Sequence, residues 1–346
     1  FTRSTSATRV NKEGLIEVVT NDRPRIDYTD TSDGVLLLEK AATNLIPFSE
    51  DFSNSSWTKL GAGTGNVAII TSGYDISPDG TQNATRLQCD LNGGLTSSGN
   101  QSLIYDSISG SGDTSGFIYV KSNTNSSQTF YLANSLNDYV NGVATTDWQR
   151  FEINWNAAGN ARTFAIGSRG TSNSDDTLDL LIWGAQVEAS PQNSSYIPTQ
   201  GSASTRVAET ATGAGNSEVF NNIEGTIFLD VNFKNNSGVQ VLCSVDDFAT
   251  NKRLEIWANS NLINGFIGGS SSITVGSSNI INRSHKIALS YKSGNSSFYI
   301  DGFLIGSSSS SFTISALTKM NLSYFNGNQY ASECPTKEIG YYNTIL

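Results

Sequence analysis

Cleaving a glycosidic bond takes two carboxyl groups that face one another across a cleft, one of them protonated. The acids whose spacing invites that reading are Glu50 with Asp51, Asp75 with Asp79, Asp175 with Asp176, Asp246 with Asp247, and Glu255. Neighbouring residues of a strand point to opposite faces, so Asp246 and Asp247 cannot form a facing pair if one strand runs through both. A serine hydrolase would have to use His285, the single histidine, and no G-x-S-x-G elbow lies near it. His285 opens a predicted strand and reads as a packing or turn residue. No residue is assigned a catalytic role, and the protein is expected to bind or assemble and not to be an enzyme.

Calcium is the cofactor that these acids would suit, because loop carboxylates, amides and carbonyls are the hard oxygen ligands it takes. The candidates are Asp75 and Asp79 in "DISPDG", Asp175 and Asp176 in "SNSDDT", and Asp246 and Asp247 in "SVDDFATN". None has the EF-hand spacing, and a solvated turn is the alternative for each. Sugar binding relies on an exposed aromatic ring against the apolar face of a pyranose, with amides and carboxylates holding the hydroxyls. Trp155, Trp257, Tyr74 and Tyr139 are the ligand-binding candidates, with Tyr105 and Tyr330 beside them. Trp57, Trp148 and Trp183 are expected to be structural. Cys89, Cys243 and Cys334 have no metal-ligand spacing, and Cys89 and Cys243 read as buried thiols on strands.

The elements that must position these groups are short strands. The chain has 346 residues, with 32 Gly, 6 Pro, 13 Tyr and 16 Phe and only 15% charged residues. That mixture favours strands and polar turns over helices. Its length suggests two domains of roughly 150 residues each. A formal charge of −10 argues against binding a phosphate backbone, so nucleic acid is not an expected partner. No run of about 18 apolar residues exists, and no membrane insertion is expected. Because the chain opens on Phe1, it is expected to be processed, a fragment, or part of something longer.

Strands are predicted at 67–71, 84–90, 116–122, 128–134, 148–155, 162–168 and 178–189, between clusters of Gly, Ser and Asn. A second set is predicted at 225–234, 239–247, 253–260, 285–294, 296–307 and 339–346. In the last hairpin of that set, Asp301-Gly302 accepts the positive φ of a type I′ turn. The expected class is all-β, two antiparallel jelly-roll or β-sandwich domains with an extended N-terminal leader. The expected domains are a leader at 1–45, a jelly-roll carbohydrate-binding-like domain at 46–205, and a second sandwich at 206–346. The phrases "TSATRV" and "SASTRV" echo one another ahead of the two sandwiches.

Two resemblances attach to particular phrases. "HKIALSYKSGNSSFYIDGFLIGS" and the closing "IGYYNTIL" resemble the laminin-G and concanavalin-A-like lectin superfamily. "SATRVNKEGLIEVV", "PRIDYT", "LLLEKAATNLIPFSEDFSNSSWTK", "ISPDGTQNATRL", "IWGAQVE" and "SSYIPTQGSASTRVAE" resemble the head spike fibre domains of tailed-phage virion proteins. The first implies a lectin-like sandwich. The second covers about 210 residues and implies a virion surface protein, a head fibre, spike or tail appendage. It further implies contact with host or environmental glycans, other virion proteins as partners, and a homo-oligomer, by analogy a trimer. The alternatives are a secreted bacterial carbohydrate-binding or adhesion protein and a polysaccharide depolymerase.

Overall fold

Alternating apolar residues leave a strand with one dry face and one wet face, and two such sheets bury their dry faces against each other. The computed structural model carries out that pairing twice. It describes residues 1–346 except 110–111, 136–137, 158–160, 235–237, 248–251, 315–316, 326–327 and 330–333. Among the described residues every regular element is a strand, and neighbouring strands pair antiparallel within both sandwiches. The chain divides into two units. A central unit comprises Glu13–Val18 and Ala42–Arg206, and a terminal unit comprises Phe1–Lys12, Val19–Ala41 and Val207–Leu346.

The central unit is a sandwich of two five-stranded sheets. One runs in the order Gln149–Ala157, Gly112–Ser122, Thr177–Glu188, Ala84–Asp90, Ile69–Asp75, and the other in the order Asp138–Ala144, Gln128–Ser135, Ala161–Arg169, Gln101–Ser109, Thr58–Ala62. Leu87, Ile118, Val120, Leu180 and Ile182 of the first meet Ile104, Phe130, Leu132, Phe164 and Ile166 of the second in one dry core. Trp57 is buried there between Phe52 and Phe164, at 4.9 Å and 6.5 Å. Trp183 is also buried, against Tyr196 and Tyr119. Trp148 departs from its structural expectation. It stands half-buried outside the core, its Nε1 donating to the carbonyl of Ile76 at 3.1 Å.

The terminal unit is a second sandwich. Its seven-stranded sheet has the order Phe303–Ser308, Ser296–Ile300, Ser284–Lys292, Glu224–Asn232, Thr336–Tyr342, Val35–Leu37, Arg25–Asp27. Its six-stranded sheet has the order Ala211–Ala214, Lys319–Leu322, Val239–Asp246, Arg253–Asn259, Leu262–Gly268, Ser272–Asn279. Two strands of the segment read as a leader thus complete a sheet of this unit, with Leu36 opposite Thr336 and Leu38 in the core. The reason is that the Leu36–Leu38 triplet is too short to bury itself and finds an open sheet edge.

Asp301 and Gly302 take φ of 52° and 81° between Ile300 and Phe303, which pair directly, as a two-residue type I′ turn requires. His285 serves that hairpin. Its Nδ1 lies 2.8 Å from Asp301 and its Nε2 lies 3.0 Å from the carbonyl of Ile281. The three cysteines are free and buried, and burial pushes the thiols of Cys89 and Cys243 up to about 12, so neither forms a thiolate at neutral pH.

The buried Phe298 ring fills space left by a glycine on the opposite sheet. A Cβ at Gly265 would stand 2.4 Å from the ring. Gly265→Ala is therefore expected to destabilise the terminal unit by about 1–3 kcal/mol, the cost of overpacking a filled core. Urea titration checks this, and an unchanged midpoint would show that the ring has room to turn.

Candidate functional site

The site begins with a register break. Ile70 and Thr71 pair with Leu87 and Arg86, and the next pair is Asp75 with Ala84. Ser72, Gly73 and Tyr74 therefore stand opposite Thr85 alone. Gly73 has φ of +61°, which its lack of a Cβ permits, and the strand bulges away at this point. Beside the bulge is a cavity of about 620 Å³, within the roughly 300–1,000 Å³ range of ligand sites. Its lining includes Phe48, Glu50, Asp51, Asn83, Thr85 and Thr199.

Two distant segments are laced together to form the other wall. The buried Asn44 donates to the carbonyls of Ala185 and Ile197, at 3.1 Å and 2.9 Å, and accepts from the amides of Ile46 and Val187. The amide of Thr199 donates to Ser49 Oγ at 2.9 Å, while the Thr199 hydroxyl donates to the carbonyl of Ile46 at 2.7 Å. These bonds fix Phe48, Glu50 and Asp51 on one side and Thr199 on the other. The rim is held by buried amides and hydroxyls, and its geometry is preorganised.

Glu50 is the central group. Its Oε1 accepts from the Tyr196 hydroxyl at 2.8 Å and its Oε2 from Asn83 Nδ2 at 3.1 Å. Burial raises its carboxyl above the ordinary value, partly offset by the Tyr196 bond, with the nearby charge of Asp79 adding to the rise. Asn83 also reaches Asp79, at 3.4 Å. Partial burial works against ionisation of Asp79, but bonds from Ser77, Thr81 and Asn83 outweigh it and hold that carboxyl below its ordinary value. Two atoms are left over. The Oδ1 of Asn83 and the hydroxyl of Thr85, a residue only 1% exposed, are buried without a hydrogen-bond partner among the described residues. A buried unpaired polar atom costs about 1–3 kcal/mol, and both atoms belong to residues of the cavity lining.

The aromatic candidates do not gather here. Tyr74 adjoins the bulge, 42% exposed, with the Arg86 guanidinium 4.9 Å from its ring. Tyr139 lies on the edge strand Asp138–Ala144 with its ring 5.0 Å from that of Tyr131. Trp257 is half-buried in the terminal unit, between Val241 and Asn264 on its neighbouring strands. The side chain of Trp155 and the whole of Tyr330 lie outside the described residues.

The acidic candidates are spread as widely. Asp75 lies 3.9 Å from Lys121 Nζ, and its Oδ1 accepts from the Ile76 amide. Asp79 caps its own turn through the Ser77 hydroxyl and both donors of Thr81. Asp175 accepts from the Thr129 amide and Asp176 from the Gly93 amide. Asp246 is buried and accepts from Ser244 and Asn321, and Asp247 follows it half-buried. Among the described residues, no three His, Cys, Asp or Glu side chains converge as a metal centre.

Glu50, Asp51 and Asp79 were visible in the sequence as acids. Phe48, Asn83, Thr85 and Thr199 were not singled out. The available signal was positional, since Asn83 directly precedes a predicted strand and follows the turn phrase "SPDG".

No family model matches this chain, and no curated protein matches it. Among solved structures it is similar to the CBM40 of the Ruminococcus gnavus IT-sialidase bound to α2,3-sialyllactose, at 15% identity and a TM-score of 0.32, over 39% of this chain and 88% of that one. It is similar to domains LG4–5 of the mouse laminin α1 chain, at 12% identity and a TM-score of 0.29, over 82% and 88%. It is also similar to the N-terminal CBM22-1–CBM22-2 tandem of Paenibacillus barcinonensis Xyn10C, at 12% identity and a TM-score of 0.28, over 89% and 100%. At such identities no residue of this chain acquires a role from these proteins.

Proposed function

We propose that this chain is a glycan-attachment protein that holds a sugar residue in the cavity of its central unit and does not cleave it. The observation that carries the reading is the cavity's unused hydrogen-bonding atoms, Asn83 Oδ1 and the Thr85 hydroxyl, beside the Glu50 carboxylate and the Phe48 ring. A sugar presents hydroxyls to such atoms and C–H bonds to such a ring. Cleavage would need a second carboxylate free to face Glu50. Of the other acids here, Asp51 accepts from the Ser53 amide and hydroxyl, and Asp79 accepts from Ser77, Thr81 and Asn83.

Thr85→Val is the sharpest test, because the hydroxyl it removes makes no bond within the described protein. The variant is expected to keep or gain stability while losing about tenfold in glycan affinity, the worth of one hydrogen bond of about 1.4 kcal/mol. Calorimetry on ligands found by a glycan array, run with calcium and with chelator, checks this. Unchanged affinity would remove the cavity from the reading, and release of reducing ends would replace attachment by hydrolysis.

The setting we propose is the surface of a phage virion. What supports it is the ordered phrase series of the first 210 residues, three members of which, "NLIPFSED", "ISPDGTQNATRL" and "SSYIPTQG", supply residues of the cavity wall. A secreted bacterial adhesin would use the same cavity. Detection of the chain in purified particles separates the two.

A further inference from the structure

We infer that the sugar taken by this cavity carries no negative charge: it accepts hydroxyl-rich neutral glycans and excludes their sialylated, uronate-bearing or sulphated forms. This deepens the glycan-attachment reading and rests on it.

The first argument is the sense of the hydrogen bonds. The cavity offers acceptors, the Glu50 carboxylate and Asn83 Oδ1, and one group that serves either way, the Thr85 hydroxyl. Asn83 Nδ2 is spent on Glu50 and Asp79 and the Tyr196 hydroxyl on Glu50, which leaves the lining, besides Thr85, only neutral side-chain donors, the Ser72 hydroxyl and the amides of Gln82 and Gln200. A neutral sugar brings O–H donors to those acceptors. A carboxylate or sulphate brings acceptors only and would set lone pair against lone pair at Glu50 and Asn83 Oδ1.

The second argument is charge. Glu50 and Asp51 line the cavity, Asp79 stands behind Asn83, and no Lys, Arg or His is among the lining residues. Anion sites are built from arginine forks, lysines or helix N-termini. The neighbouring cations are otherwise engaged. Arg86 is bidentate on Asp179, at 2.8 Å and 2.6 Å, and Lys59 donates to the carbonyls of Ser53 and Asn54. The same acceptors suit an ammonium group, so an amino sugar is expected to bind no more weakly than its neutral parent.

Matched glycan pairs test this, the neutral member against its sialylated and sulphated counterparts, titrated at about 0.05 M and about 1 M NaCl. The anionic members are expected to bind at least about tenfold more weakly, as like charges in contact require. The gap should narrow at high salt, where screening shortens to about 3 Å, and in the Glu50→Gln, Asp51→Asn double variant. Exclusion by shape alone would answer to neither. An anionic member that binds as tightly as its neutral partner, and that Thr85→Val weakens, overturns the inference and leaves glycan attachment standing. If no member of any pair binds, the attachment reading itself falls and the inference with it.

Discussion

Replacing Glu209 by glutamine is expected to lower the stability of the terminal unit by about 3–5 kcal/mol, the cost of stranding a buried charge. Arg3, Arg25 and Glu209 are each no more than 1% exposed. Glu209 Oε1 accepts from Arg3 at 2.6 Å and from Arg25 Nε at 2.9 Å, and its Oε2 accepts from Arg25 Nη2 and from the amide of Glu39. Arg25 also donates to Glu39 at 2.8 Å and to the carbonyl of Thr8 at 2.8 Å. Arg3 spends its remaining donors on the carbonyls of Thr5, Arg23, Val19 and Thr20.

Burial alone would favour losing the proton of Arg25, and Glu39 with Glu209 more than reverses it, so the guanidinium stays charged. With the Glu209 charge gone, the buried Arg3 guanidinium loses the carboxylate it pairs with, and Arg25 keeps Glu39. Hydrogen exchange of the strand Glu224–Asn232 reads the result directly, and its most protected amides should exchange about 100-fold faster or more, since 1.4 kcal/mol is tenfold. A loss under about 1 kcal/mol would show that water or rearrangement relieves the stranded charge. The cluster ties residues 206 positions apart, Arg3 and Glu209, which makes it the closure of the terminal unit.

Asp106→Asn is expected to do the opposite for the central unit, raising its stability at pH 7 and flattening its pH dependence. Asp106 lies on the strand Gln101–Ser109 two residues from both Ile104 and Ile108 of the core, so it points inward with them. It is 5% exposed, and its Oδ2 has no partner among the described residues. Burial pushes its carboxyl from 3.8 up to about 6, against a weaker pull from the Ser107 amide.

A carboxyl whose folded value is raised is protonated in the native state where the unfolded chain has already released the proton. Its contribution is therefore favourable below about pH 4 and is lost as pH rises through about 6. The cost at neutral pH is about 2–3 kcal/mol, at 1.36 kcal/mol per pH unit. Denaturation of both proteins between about pH 4 and 7.5 should show the variant gaining that amount relative to the parent as pH rises. A difference that does not change with pH would mean that Asp106 is ionised in the fold or reached by water. The native central unit is accordingly expected to be firmer at mildly acidic pH than at neutral pH.

Much of the architecture was legible in the residues. The strands at 84–90, 128–135 and 253–259 sit within a residue of their predicted ends, because alternation of period two records which side chains face inward. Strands Gln101–Ser109 and Asp138–Ala144 escaped because their polar residues, Asp106 among them, break that alternation. Trp148 was misjudged for a related reason. Apolar neighbours in sequence do not say which face of a strand another segment will cover.

By itself the sequence determined what local chemistry determines: an all-β chain, the Asp301-Gly302 turn, and thiols seated on buried strands. Only the tertiary structure decided where a ligand fits. The cavity joins residues 48–51, 72–85 and 198–200, the ionic closure joins residue 3 to residue 209, and the strand opposite Thr85 bulges by two residues. Such pairings cross long stretches of chain, so no period or motif announces them. They arise when the sheets close and each buried polar atom either finds its partner or is left waiting for one.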